Sequence, residues 1–361
     1  MQCKYNLALG TVGLFSTLQS IGGIVSVIIC IVYLDVMNKP KVLGLLGICF
    51  AAQMVVLGVV PGIVLVYMLF LIIGFVNSMV NTLSNAVVSD YTNHRRSFYL
   101  NLLHGFFGLG GAVGSQITRL LSDAADMGTT YVYFGVFALL CVAVYIIVIN
   151  KDMNKPVVFA RESPSKRIKE LKNVLKKPGM ASVLFAAFFN AFASINILYW
   201  SYTFAFSKSN DSVKSALVLT VYFVMLTIGR FVSSRFTHRF SPKHFVSVGS
   251  LLSAATAIAA CFTSNVVLII VMYGFLGLFS GNNYPQIVAQ SCATAPDHSA
   301  AATGITILGY FLATIIAPPL IGWTGDVFGL KTALVTNGFM FLPAGLIALK
   351  FAKRKLAIAI D

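Results

Sequence analysis

Amides and aromatic rings set inside long apolar stretches are the residues of this chain most able to do chemistry. Asn77, Asn81 and Asn85 stand four residues apart with Ser78 and Ser84 beside them, so a helix would carry them as one polar stripe. Gly281 is followed by Asn282, Asn283, Tyr284, Pro285 and Gln286, and a third group comprises Asn190, Asn196, Tyr199 and Trp200. An asparagine left in hydrocarbon without a partner is costly, so each of these groups must face protein or water. Two readings of them stand. Bonds between helices would be worth about 1 kcal/mol each. Alternatively the amides match the hydroxyls of a polar ligand while the rings pack on its C–H patches. Pro285 removes a backbone donor and frees carbonyls near its cluster. Tyr199 and Trp200 approach the end of their stretch, where an aromatic belt is ordinary.

His104, one helical turn after Asn101, has the neutral range needed for a proton carrier and is the candidate for that role; a hydrogen-bonded structural histidine is the other reading. Gly110 and Gly114, at small-xxx-small spacing, predict the close approach of another helix. All eleven acidic residues fall in loops, tails or the ends of apolar stretches. That weakens both hydrolytic chemistry and simple proton coupling, each of which wants a buried acid or base. No converging nucleophile, base or metal set and no phosphate-binding loop is present, so neither an enzyme, a cofactor nor direct nucleotide drive is expected.

These residues must be held by membrane helices. Hydrophobic residues make up 58% of the 361 and charged ones 10%, too little polar material to cover a water-soluble globule. Spanning about 30 Å of hydrocarbon takes about 20 apolar residues. Eleven such spans lie near 10–34, 42–60, 63–88, 99–121, 130–149, 179–206, 215–234, 245–262, 265–290, 300–322 and 332–349. The runs are continuously apolar and lack the alternation of barrel strands, which predicts an all-α integral membrane protein. The net charge of +15 follows topology and anionic lipid, with no nucleic acid as partner: 20 of the 26 Lys and Arg fall in one alternating set of loops and in the C-terminal tail. The positive-inside rule then places the central loop and the C-terminus in the cytoplasm of a multi-pass cell-membrane protein. At these cytoplasmic ends Asp35 with Lys39 and Lys41, Asp90 with Arg95 and Arg96, and Arg230 with Arg235 and Arg239 form a predicted gate, whose pairs bias a two-state equilibrium if they form on closure. The six cysteines show no paired spacing and read as small apolar residues, with no metal site. No cleavable leader is convincing.

The chain divides into 1–150 with five spans, a polar linker 151–178, and 179–361 with six. Within the linker Ser163 is placed to cap, Pro164 suits the first helical position, and Ile168, Leu171 and Leu175 recur at helical spacing, which predicts an amphipathic helix on the membrane surface. The second half repeats the first: Gly74-Phe75 returns as Gly274-Phe275, Gly105-Phe106-Phe107 as Gly309-Tyr310-Phe311, Lys39-Pro40-Lys41 as Pro242-Lys243, and Ile21-Gly22 as Ile228-Gly229. By this symmetry one helix is missing at the start. Either the chain begins late, or an eleven-span protein needs another subunit or is inactive.

The layout resembles the major facilitator superfamily, two six-helix bundles joined by a cytoplasmic loop, over essentially the whole chain. NTLSNAVVSDYTNHRRSFYLNLLHGFFGLGGAVG is similar to the fourth and fifth helices of fucose-permease-like sugar symporters, and GRFVSSRFTHRFSPKHF to the family's loop between helices eight and nine. The resemblance implies twelve helices, of which eleven are visible, and places Asn77, Asn81, Asn190, Asn282 and Asn283 on cavity-lining helices. Proton-coupled relatives carry carboxylates on their first and fourth helices; here Asn77 holds the fourth-helix position and the first helix is absent, which puts proton coupling in doubt. The expected function is a monomeric carrier of a small-molecule substrate, a polar solute of the sugar kind, with the coupling ion left open and the lipid bilayer as its surroundings. The expected site comprises Asn77, Asn81, Asn85, Asn190, Asn196, Tyr199, Asn282, Asn283 and Gln286. A multidrug or metabolite exporter, a non-transporting receptor and an inactive truncated carrier are the alternatives.

Overall fold

The computed structural model describes residues 5–33, 37–59, 62–91, 96–153, 164–236 and 239–351. Their helices are α1 Leu9–Tyr33, α2 Lys39–Val59, α3 Ile63–Tyr91, α4 Arg96–Ala124, α5 Met127–Met153, α6 Pro164–Leu175, α7 Met180–Ser209, α8 Ser212–Ser234, α9 Pro242–Cys261, α10 Val266–Ser280, α11 Asn283–Thr294, α12 Ser299–Phe328, α13 Leu330–Phe339 and α14 Phe341–Ala348. Among the described residues ten segments are long and apolar enough to cross a membrane, α10 with α11 and α13 with α14 each counting once. The eleventh expected span, 99–121, is α4. It is 29 residues long, but its glycines and its Ser115, Gln116 and Arg119 leave it short on apolarity. The chain forms two compact units, Met1–Arg167 with Thr314–Val327, and Ile168–Ala313 with Phe328–Asp361.

In lipid no hydrophobic force drives helices together, so association rests on close backbone contact and on satisfied polar groups. The first unit uses both. Its core gathers Phe15 of α1, Met54 and Leu57 of α2, and Val66, Leu69 and Ile73 of α3. The second half of α12 lies along α1, where a Cβ on Gly13 would overlap the backbone of Pro319. Pro318 and Pro319 have no N–H to give to the carbonyls of Thr314 and Ile315, four residues earlier in α12. Two hydroxyls of α1 meet those carbonyls: Ser16 Oγ donates to Thr314 O at 3.1 Å and Thr17 Oγ1 to Ile315 O at 2.6 Å. Asp326 finishes the contact by accepting from the Leu9 and Gly10 N–H groups at 2.9 and 2.8 Å, a carboxylate at the positive end of α1.

In the second unit α7 packs against α8, α11 and α14, and α10 against α8 and α9. From Ile168 onward the linker helix α6 packs into this unit. Val174 is fully buried, Leu171 packs beside Gly304, and Glu170 pairs with His298 in the turn before α12. Its docked face is therefore Leu171 with Val174, and the expected Ile168 and Leu175 are exposed. At the start of α8, Asp211 accepts from the Lys214 backbone N–H at 3.0 Å and faces its Nζ at 3.1 Å, which holds the carboxyl below its usual range. Asp211→Ala is expected to lower the thermal midpoint. The loss relative to the parent should shrink as pH falls through the carboxylate range, where the parent's own cap is protonated.

The internal repeat has a definite register. In the first unit Gly22 of α1 meets the Leu71 carbonyl of α3, and Gly74 of α3 meets the Gln19 carbonyl of α1. In the second, Gly229 of α8 meets the Leu278 carbonyl of α10, and Gly281 meets the Leu226 carbonyl of α8. All four pairs differ by 207, so the structural counterpart of Gly74 is Gly281, not Gly274. Gly274 sits seven residues earlier, two helical turns, on the same side of its helix, which is how it mimics the match. Gly105 and Gly309 also part company: a Cβ on Gly309 would press on Leu184, while one on Gly105 would meet open space. The same holds for Gly110 and Gly114, and the close helix approach expected there is not formed among the described residues.

Candidate functional site

The polar interior of the second unit begins at the break between α10 and α11. Pro285 cannot donate to the Gly281 carbonyl four residues before it, and the helix interrupts at Gly281 and Asn282. An unmet carbonyl in hydrocarbon costs several kcal/mol. Arg230 supplies the bond, its Nε donating to Gly281 O at 3.0 Å. Sequence spacing put Arg230 in a cytoplasmic gate with Arg235; the structure separates the two. Arg235 is exposed beyond α8, whereas Arg230, on the last turn but one, is half-buried and turned to the middle of the α10–α11 span. A helical side chain leans toward its helix N-terminus, which explains the direction.

Next to this break, Asn282 is buried and its Nδ2 has no hydrogen-bond partner. Asn190 of α7 is buried with Oδ1 unpartnered, and Trp200, 1% exposed, has no acceptor for its Nε1–H. Four tyrosines from four helices complete the region. Tyr310 of α12 lies within electrostatic range of Tyr199, Tyr222 and Tyr284, and its ring meets that of Tyr284 edge-on at 6.1 Å between centroids. Tyr222 is buried, and the other three are half-buried. The arrangement is rich in N–H and O–H donors, with aromatic faces between them.

Two of the expected ligand amides are engaged in holding helices together. Asn196, fully buried, donates to Phe192 O at 2.9 Å and to Asn337 Oδ1 at 2.8 Å, while Asn337 donates to Ala193 O at 3.0 Å. Asn283, also fully buried, donates to Ser250 Oγ of α9 at 3.2 Å. Their Nδ2 groups thus serve the interhelical reading, while Oδ1 of each is buried without a hydrogen-bond partner. Replacing Asn196 and Asn337 by Leu singly should each cost stability, and the double variant should cost less than their sum, with about 1 kcal/mol of coupling read from thermal midpoints. Gln286 is buried on α11, and Tyr199 sits beside Trp200.

In the first unit Asn77 and Asn81 of α3 are exposed, and Asn85 donates to Asn81 O and Oδ1, both at 2.9 Å. The buried side of α3 is Ile73, Val76, Met79, Leu83 and Val87, so the amide stripe lies off the core. In the 207 register Asn283 is one residue out of step with Asn77, about 1.5 Å along the axis but a rotation of about 100°, which is why one amide is buried and the other open. An apolar groove of about 330 Å³ between Leu18 of α1 and Val64, Tyr67, Met68, Leu71 and Ile72 of α3 offers nothing to a polar solute. Asp35 and Arg95 lie outside the described residues, and so do the side chains of Asp90, Arg96, Asn101 and His104.

The profile of the Major Facilitator Superfamily matches residues 1–219 and 180–357. The chain belongs to the major facilitator superfamily. As a member it is a multi-pass membrane transporter and not an enzyme. Among solved superfamily structures it is similar to a bacterial homologue of the human lysosomal transporter Spinster in an inward-facing, occupied conformation, with 13% identity, a TM-score of 0.73, and 95% of this chain and 89% of that one covered. It is similar to the Escherichia coli fucose:proton symporter at 15% identity and a TM-score of 0.66, covering 96% and 90%, and to a peptide transporter in complex with alafosfalin at 12% and 0.75, covering 94% and 84%. At these identities the likeness concerns the fold. No curated protein sequence matches the chain. What sequence reasoning missed in this superfamily member is the tyrosine set: Tyr222 and Tyr284 stand on different helices with no local motif, and only the fold brings each of them near Tyr310.

Proposed function

We propose that this transporter moves a small polar solute of the sugar class through the cell membrane by alternating access, as a monomer whose central loop and C-terminus are cytoplasmic. The observation that carries this reading is the unpartnered Nδ2 of buried Asn282 close in the chain to half-buried Tyr284, with the unpartnered Nε1–H of buried Trp200 next to half-buried Tyr199; α7 adds the unpartnered Oδ1 of buried Asn190. Buried polar groups normally find partners, and a group left without one in a membrane interior is a place where a ligand's own polar atoms reduce a standing cost. Aromatic faces beside amides suit the C–H patches and hydroxyls of a sugar. The exposed Asn77 and Asn81 offer a second amide surface on α3. A coupling ion stays open.

Proteoliposome uptake of labelled sugars, set beside binding measured in detergent, tests this. Saturable uptake supports the reading; binding without flux makes the protein a receptor. Asn282→Leu is expected to weaken binding of the recognised solute tenfold or more while the unliganded protein keeps its thermal midpoint. A loss confined to Asn196→Leu, with Asn282→Leu unchanged, would shift the site away from the break. For the gate, reversing the charge of Asp35 should change the uptake rate and leave binding intact.

A further inference from the structure

Arg230 carries a charge for which the described residues supply no carboxylate counter-ion. Its Nε is committed to Gly281 O, yet the guanidinium has four further N–H donors, and among the described residues no carboxylate or carbonyl receives them. Among the described residues the Tyr222 phenol, eight residues earlier along α8, acts on it electrostatically. A cation is expensive inside a membrane span, and where one persists it faces protein or a watery cavity and is paired with something. Bonding a single backbone carbonyl does not explain the residue choice, because a glutamine or serine would meet the carbonyl without the charge; Ser16 and Thr17 do so in α12.

The surroundings indicate what completes the pair. From Arg230 the path runs through Tyr222 to Tyr310, and from there to Tyr284 and Tyr199, with the unpartnered Nδ2 of Asn282 beside the bonded carbonyl. Asn282 offers an N–H beside the carbonyl that Arg230 holds, and Tyr222 connects the charge to the O–H donors of the other tyrosines. We infer that the solute bound at the site proposed above carries a carboxylate that Arg230 receives in its guanidinium fork, with Asn282 and the tyrosines meeting its hydroxyls. A guanidinium matches the two oxygens of a carboxylate in a bidentate way. A phosphate monoester, at about −1.5 to −2 at neutral pH, would need a second cation. On the membrane-spanning helices of this unit the other described cations, such as Lys208, Lys214 and Lys243, stand at helix ends. The inference rests on the proposed transport reading and narrows its substrate to hydroxylated organic acids.

The test uses the purified full chain in detergent and a panel of matched pairs: gluconate and glucuronate against glucose, lactate against glycerol, and glucose 6-phosphate as the phosphate arm. Melting midpoints are followed with ligand concentration. At least one carboxylate should stabilise the protein where its neutral partner does not, and added sodium chloride should weaken it. Arg230→Gln keeps an N–H for the Gly281 carbonyl but removes the charge; it should bind that carboxylate at least tenfold more weakly, while Arg230→Lys, which keeps the charge but loses the fork, should fall between the two. If Arg230→Gln does not fold, protection of Arg230 from phenylglyoxal by the carboxylate, read by mass spectrometry, takes its place. The inference is overturned if no carboxylate outperforms its neutral partner, if the phosphate ester alone stabilises, if Arg230→Gln binds unchanged, or if Arg230 is not protected. Proteoliposome flux separates the two readings: a carboxylate that binds through Arg230 without crossing overturns transport alone, and neutral-sugar flux indifferent to Arg230→Gln overturns the acid group alone.

Discussion

Replacing Gly74 or Gly281 by Ala is expected to destabilise the folded transporter by about 3 kcal/mol or more, the upper part of the range for overpacking. At each position a Cβ would occupy the space of a carbonyl oxygen on the crossing helix, Gln19 in one unit and Leu226 in the other. Backbone atoms cannot swing aside as a side chain end would, so relief requires the two helices to separate along their whole contact. In lipid, separation also removes the dispersion contacts on which association depends. The measurement is the yield of monodisperse protein and its thermal midpoint beside Gly105→Ala, whose Cβ would meet open space and which should be close to neutral. Equal behaviour of Gly74→Ala and Gly105→Ala would refute the close crossing.

The second large effect concerns the double proline of α12. Thr17→Val keeps the shape of the side chain but removes the donor at 2.6 Å from the Ile315 carbonyl, and Ser16→Ala removes the donor to Thr314. Each change leaves a carbonyl without a partner, at about 1–3 kcal/mol for a buried acceptor. The combined variant is expected to lose about 2–6 kcal/mol on the same scale. A cycle with Pro319→Ala identifies the cause. That substitution restores a backbone N–H able to reach the Ile315 carbonyl, so Thr17→Val should cost little in its background. If Thr17→Val costs the same with and without Pro319, the hydroxyl is acting through packing, and the account of freed carbonyls fails.

Span positions were legible because a membrane enforces long apolar runs, and the repeat was legible because glycines at helix crossings leave few alternatives. The register was not: Gly274 and Gly281 lie on one side of one helix, and only the carbonyl that each meets tells them apart. Amide positions stood out from the chain, but their partners did not, since Asn196 reaches Asn337 across 141 residues and Asn283 reaches Ser250 on another helix. Arg230 misled because its neighbours in sequence are exposed cations, whereas its direction depends on helix geometry and on a proline 55 residues later. The linker's buried face was misread by one residue, a rotation of about 100° at that position, as short amphipathic helices invite, because Val174 takes the place given to Leu175.

The shared register also says where the two copies stopped being equivalent. Position 230 corresponds to position 23, an arginine in one copy and a glycine in the other. Gly23 offers its carbonyl to Ser78 at 3.3 Å, while Arg230 reaches out to take one. A chimera carrying α1 in the place of α8 would keep glycine at the crossing yet present no cation to the α10–α11 break. Duplication supplied the scaffold twice, and the capacity to hold a charge resides in one descendant of it.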